Sequence, residues 1–389
     1  MYTTRSLFVL KNSPGNGFQQ PSVDGPNSGY LLLEEEEPDN TGAPSCWRQR
    51  EETQLRDLPF PQDSILTVKY SPQQGEKLKS KSAVVVFIPV INQPLSSNRY
   101  YVIIARGRNK GKAYTCSTEG MSICCSRGGT NDAKPRAFDH RDMYQQVEIE
   151  CKNGRFHAKS VAPDGIPPWL LGRKYWKVYA SKPKNYKLDE ASGIDVALHA
   201  CLPSLNFPIS IEETPKFVVG RWYCPFIFVK EERGLGKQMK RSMFYEVILE
   251  RFWEEVYACE NQNGKEKVVE VNALIASEMF FLDGKEVVQD NKPHGDGMIW
   301  LKPTDSKGRG MGLSLAIWER IRWEEMRRGW IGDEEVERIV RMEEHEGKSG
   351  WKKFACYVLV ERFAFWRMDG SLALSFEFRH ASKVRTKWE

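Results

Sequence analysis

The chain closes on Cys356–Glu389, CYVLVERFAFWRMDGSLALSFEFRHASKVRTKWE. Two strand-like runs flank Asp369-Gly370, a dipeptide suited to a two-residue hairpin turn with positive φ at both positions. Such a turn sets Met368 opposite Ser371, Trp366 opposite Ala373, Ala364 opposite Ser375 and Arg362 opposite Glu377. Alternate side chains of a strand point to opposite faces. Phe363, Phe365, Leu372, Leu374, Phe376 and Phe378 therefore make one apolar wall. Arg362 and Glu377 become a cross-strand ion pair, worth about 0.2–1 kcal/mol. The basic residues from Arg379 to Trp388 read as a solvated closing strand or tail, with contact to an anion or acidic partner as the alternative.

The Glu361-Arg362 pair inside this stretch has two earlier counterparts. Aligned on that pair, FYEVILERFWEE (Phe244–Glu255) and LSLAIWERIRWEE (Leu313–Glu325) stand beside CYVLVERFAFW (Cys356–Trp366). Read as strands, they put Glu250, Glu319 and Glu361 among large apolar neighbours and Arg251, Arg320 and Arg362 on the opposite faces. A carboxylate in such a place must be paired, hydrogen-bonded or protonated. All six are candidate ligand or structural charge sites, with structural salt bridges the simpler reading. Tyr245, Leu249, Phe252 and Val256 also follow helical spacing, so the first two segments fit helices as well. The strand reading is preferred for all three. Their unequal spacing is not that of a regular solenoid or propeller.

Working outward, Ser82–Ile91 reads as a buried strand that Pro89 ends or confines to an edge. Asn153-Gly154 and Asp283-Gly284 supply further hairpin turns. Val268–Phe281 reads as one strand, and Leu188–Ala200 as a short helix weakened by Gly193. Prolines across Pro203–Pro215 suggest a boundary. The expected fold class is α+β: β-rich, with antiparallel sheets and hairpins and few helices. An N-terminal β-rich region, 1–205, with its short helix near 188–200, precedes a C-terminal β-rich domain, 216–389, that carries the Glu-Arg segments.

Composition excludes several classes. The 389 residues include 57 basic and 52 acidic ones, a net charge of +5, too small to indicate nucleic acid. No apolar run approaches the roughly 20 residues of a membrane-spanning helix. Nine cysteines, irregularly spaced and without a secretory leader, suit reduced thiols in a cytoplasmic or nuclear compartment. P-loop, GxGxxG, HExxH, GxSxG and paired CxxC patterns are missing. Cys116, Cys124, Cys125 and Cys151 with His140 or His157 lack the short knuckles of a zinc site. Neither a metal nor another cofactor is expected. His294 and Asp296, within NKPHGDG (291–297), form the most site-like turn, with a plain polar turn as the simpler reading.

Several longer motifs are distinctive together: MYTTRSL at the start, NQPLSSNRYYVI (Asn92–Ile103), KSVAPDGIPP (Lys159–Pro168), RWYCPFIFVKE (Arg221–Glu231), QMKRSMFYE (Gln238–Glu246), GLSLAIWER (Gly312–Arg320) and CYVLVERFAFWRMDGSL (Cys356–Leu372). With them the chain resembles a plant-specific family of uncharacterised proteins, DUF1262, over nearly its whole length. The resemblance implies a plant protein and, by association, stress or defence expression. It supplies no catalytic or binding residues. The expected function is a non-enzymatic soluble interaction or ligand-binding protein, with an unknown protein or small molecule as partner. The alternatives are an enzyme with a dispersed site and a membrane-surface or pore-forming β protein.

Overall fold

A computed structural model describes residues 1–12, 24–34, 52–72, 80–118, 132–231, 234–262, 266–290, 295–304, 310–332, 334–347 and 350–389. The protein is β-rich, and among the described residues its sheets are antiparallel with one parallel pairing, Tyr2–Ser6 on Gly29–Leu33. Among the described residues helix is confined to short pieces, the longest being Leu315–Met326. The α+β label therefore fits only loosely.

Three long strands form the middle of a 12-stranded sheet: Phe244–Glu260, Lys353–Arg367 and Leu372–Trp388. We refer to them as the first, second and third long strands. The second lies between the other two. Beyond the third, the sheet continues through Glu278–Leu282, Lys285–Asp290, Met298–Pro303 and Met311–Ser314 to Val229–Glu231. Beyond the first come Phe217–Pro225 and then the two N-terminal strands.

A seven-stranded sheet holds Lys81–Pro89 between Ile65–Tyr70 and Arg99–Ile104, with Pro89 as its last residue. Its continuous apolar run is explained by burial on both faces. Val86 and Ile88 enter the main core with Tyr2, Trp222 and Phe228, whereas Val85 and Phe87 enter a second core with Phe60, Tyr100 and Trp176. The inner face of the long strands closes the main core. There Tyr245, Val247 and Leu249 meet Phe363, Phe365, Leu374, Phe376 and Phe378.

The closing hairpin forms, but its turn differs from the expected one. Gly370 has positive φ (78°) and Asp369 does not. Gly370 N donates to Arg367 O at 2.9 Å, and Arg367 N donates to Ser371 O at 2.9 Å. This is a three-residue loop with a left-handed glycine, the second commonest hairpin solution. Asp369 favours it because its Oδ1 accepts from Ser371 N at 3.0 Å and its Oδ2 from Arg241 Nε at 3.0 Å. The cost in register is one bulge: Trp366 pairs with Leu372 instead of Ala373. Further along, Ala364 faces Ser375 and Arg362 faces Glu377, as the sequence suggests. The expected Arg362–Glu377 ion pair is rewired, however. Arg362 Nε reaches Glu250 Oε2 on the first long strand at 2.8 Å, and Glu377 is held by Arg379 at 3.0 Å. At Asn153-Gly154 and Asp283-Gly284 both residues do have positive φ.

Three other expectations change. The Leu313–Glu325 segment is mostly helix, since Ile317 and Ile321, one turn apart, dock with Trp318 into the main core. Its Ala, Glu and Arg residues suit that choice. Val268–Phe281 splits at Ser277 into Val268–Ala276 and Glu278–Leu282. The first half pairs with Val336–Glu344 as a separate two-stranded ribbon. The Leu188–Ala200 helix shrinks to Val196–Ala200, because Gly193, at φ 85°, begins a short strand.

Candidate functional site

The antiparallel register of the first two long strands sets Glu250 opposite Arg362 and Arg251 opposite Glu361. Two reciprocal ion pairs result, one on each face of the sheet. On the inner face, Glu361 continues the apolar row of Phe363 and Phe365, and Arg251 continues that of Val247 and Leu249. The third long strand adds His380, which follows Phe376 and Phe378 on the same face. The main core ends here. Beyond it a small core of Trp253, Ala355, Tyr357 and Leu359 resumes with Phe207 and Ile209. A buried polar node thus separates two apolar clusters on one sheet face.

Glu361 is fully buried. Its Oε1 lies 2.8 Å from Arg251 Nε and 2.9 Å from His199 Nε2. Its Oε2 lies 3.4 Å from His380 Nε2, and the same nitrogen is 3.5 Å from Glu325 Oε2. His199 is carried by the Val196–Ala200 helix, whose N-terminus is capped by Asp195 Oδ1 accepting from Leu198 N at 2.9 Å. Arg251 ties the other end of that helix to the sheet, its Nη1 donating to the carbonyls of His199 and, at 2.8 Å, Cys201. Glu325 lies in the last turn of the Leu315–Met326 helix, which stops before Gly329, at φ 89°. Beside it, Glu324 accepts from Arg320 and, at 2.8 Å, from Arg327, with Arg328 at 3.5 Å.

The two carboxyls of the node differ in proton affinity. Burial, with the negative Glu361 next to it, pushes the Glu325 carboxyl well above the usual carboxylate range. Burial also works to raise Glu361, but His199 and His380 outweigh it and hold that carboxyl well below the usual range. Burial pushes the His380 imidazole down against the pull of Glu361, and pushes the Lys383 ammonium down too.

One side of the node opens to a cleft. The third long strand pairs His380 with Leu359 and Val384 with Val358, leaving Ala381, Ser382 and Lys383 as a bulge. Bulges of this kind redirect side chains and interrupt pairing, and they recur beside active sites. Here the bulge leaves a cleft of about 460 Å³ between the strand and the turn after the helix. Trp330, Ile331 and Ala381 give it an apolar lining, and Glu334, Glu337, Arg338, Arg379 and His380 a charged and polar one.

The family model DUF1262, "Protein of unknown function", matches residues 24–126. A comparison with curated proteins finds no match. Among solved structures, that titled "Crystal structure of Cry35Ab1" superposes with a TM-score of 0.46 at 10% identity, over 85% of this chain and 90% of that one. The matched family segment covers strands of the seven-stranded sheet and lies outside the node.

Of the residues singled out in the sequence, Arg251 and Glu361 meet in the node. Glu250 and Arg362 pair on the opposite face of the sheet. Glu319 is exposed and accepts from Asn27 Nδ2 at 3.1 Å, while Arg320 is buried against Glu324 and Ser28. Asp296 accepts from Lys230 Nζ and Trp300 Nε1, each at 3.3 Å, in a separate turn. His294 lies outside the described residues. Sequence reasoning did not nominate His199 or Glu325, and it read Arg379–Trp388, with His380 and Lys383, as a solvated strand or tail, whereas Arg379 and His380 are buried because the third long strand continues through the sheet there. The signals for two of them were periodic: His380 keeps the parity of the Phe376 and Phe378 row, and Glu325 follows Ile317 and Ile321 at four-residue spacing.

Proposed function

We propose that this is a non-enzymatic binding protein that holds a small organic ligand in the cleft at the Ala381–Lys383 bulge. The supporting observation is the cleft itself. Its volume of about 460 Å³ suits a small molecule, and its lining combines apolar and charged side chains. An apolar ring against Trp330 and Ile331 with a charged or polar head toward Arg379 and Glu337 is the ligand class that fits. A chemically diverse library screened by thermal shift tests this reading. Compounds that raise the melting temperature of the wild type should fail with Ala381→Trp, which fills the cleft, and weaken with Trp330→Ala. Hits that survive Ala381→Trp, or a library with no hits, would refute it.

A second reading has its own observation. The outer face of the two-stranded ribbon exposes Val268, Leu274, Val336, Val340 and Met342, with Leu274 and Met342 more than two-thirds exposed. Such a patch suits a membrane or protein surface. Liposome co-sedimentation of the wild type, lost in Leu274→Asp/Met342→Glu, would favour it over the cleft. A plant origin and a stress or defence role rest on the family resemblance. A cytoplasmic or nuclear location is supported by the free thiols of Cys116, Cys151, Cys201, Cys224, Cys259 and Cys356.

A further inference from the structure

We propose that Glu325, Glu361 and His380 form a binding site for one divalent transition-metal ion, with zinc the ion that a histidine and two carboxylates suit. Each of the three is at least nine-tenths buried, and one ligand atom from each lies within 4.8 Å of the others. Among the described residues, no partner of either Glu325 oxygen, either Glu361 oxygen or either His380 ring nitrogen meets hydrogen-bond geometry, although His380 Nε2 stands at ion-pair distance from Glu325 and Glu361, and Arg251 and His199 stand at ion-pair distance from Glu361 Oε1. Orphaned buried polar atoms are costly, and here they converge on one point. Two of the three ligand spacings are near tetrahedral length. Ligands about 2.1 Å from a tetrahedral ion stand ~3.4 Å apart, and right-angled octahedral neighbours stand closer, at ~3.0 Å. His380 Nε2 is 3.4 Å from Glu361 Oε2 and 3.5 Å from Glu325 Oε2. Two carboxylates supply the charge that balances a divalent ion. Three protein ligands leave a fourth position, the composition of an open zinc site.

The surroundings support the three ligands in the way metal sites require. Arg251 and His199 both hold Glu361 by Oε1, leaving its Oε2 edge toward His380. Such outer contacts fix the orientation of a ligating carboxylate. The nearby guanidiniums are already engaged, Arg251 by the Oε1 edge of Glu361. Arg251 is bound to Glu361 and two carbonyls, while Arg320, Arg327 and Arg328 converge on Glu324. Among the described residues, Lys383 is the remaining nearby cation, half-buried in the bulge within electrostatic reach of Glu325 and Glu361. It works against the ion.

The test uses the full chain, dialysed against EDTA and titrated with Co²⁺ as a coloured stand-in for zinc. One equivalent per chain should give the strong visible absorption of tetrahedral cobalt, and Zn²⁺ should displace it. Losing an outer-shell partner typically costs about 10–100-fold in affinity, so Glu325→Gln should cost at least 100-fold. Lys383→Met should tighten binding, an effect that a purely structural role for the three ligands would not produce. No saturable uptake by the wild type, or uptake unchanged in Glu325→Gln, overturns the proposal. If Glu325→Gln does not fold, the wild-type Co²⁺ complex decides the matter. Its proton NMR spectrum should show one hyperfine-shifted imidazole N–H, and a spectrum without one overturns the proposal. The organic-ligand reading stands or falls separately, on Ala381→Trp.

Discussion

The reciprocal ion pairs of the first two long strands permit a controlled comparison. Arg251–Glu361 and Arg362–Glu250 use the same chemistry on the same strands, one residue apart. They differ in burial: the side chains are 3% and 0% exposed in the first pair, and 15% and 12% in the second. Glu361→Gln leaves the Arg251 charge in the core with two backbone carbonyls as acceptors. Stranding one member of a buried pair costs about 3–5 kcal/mol. Glu250→Gln is cushioned, because the register places Glu377 opposite Arg362. Its cost should be that of one net hydrogen bond, about 1 kcal/mol. With a urea m-value of ~3 kcal/mol/M, the midpoints should fall by about 1–1.7 M and about 0.3 M. Circular dichroism during urea titration, in EDTA to remove any bound ion, measures both. The double variant Arg251→Met/Glu361→Gln removes both charges and should recover at least half of the loss, as buried pairs exchanged for apolar groups do. Equal shifts for the two single variants, or a double variant worse than Glu361→Gln alone, would refute the reasoning.

Other expectations follow from burial and backbone geometry. Burial pushes the Cys224 thiol up to about 12 and the Cys356 thiol up to about 11, whereas Cys201 is exposed. Iodoacetamide applied to the native protein at about pH 8 should label Cys201 and spare the other two, read by peptide mass spectrometry. Phe376 is fully buried with the Trp318 ring centroid 4.9 Å away, so Phe376→Ala should cost about 3–5 kcal/mol in chemical denaturation. A Cβ on Gly220 would stand 2.6 Å from the buried Trp222 indole. Gly220→Ala should therefore destabilise by about 1–3 kcal/mol through overpacking. Gly284→Ala meets nothing within 4 Å, and its cost of about 1 kcal/mol should come from the φ of +78° alone.

How far the sequence could be read depends on the range of each interaction. Turns and alternation are local, which is why the strand pair around Asp369-Gly370 and most of its register were legible. The turn type was not, because the Asp369 side chain binds Ser371 and Arg241, and the second of these comes from a distant helix. The Glu-Arg recurrence was visible, but its three copies have different fates. In the first and third, antiparallel pairing offset by one residue joins each Glu to the other strand's Arg. The second copy obeys a helical period, which turns Glu319 outward and Arg320 inward. The node needs all of these long-range choices at once. Glu361 and Arg251 meet only through strand register, His380 only through the third strand, and Glu325 only because a helix places it one turn beyond Ile321. Once the register is known, the parity of His380 and the four-residue spacing of Glu325 point to one place on the inner face. That convergence gives the buried polar node its specificity: an error of one residue in any strand would turn its contribution to the opposite side of the sheet.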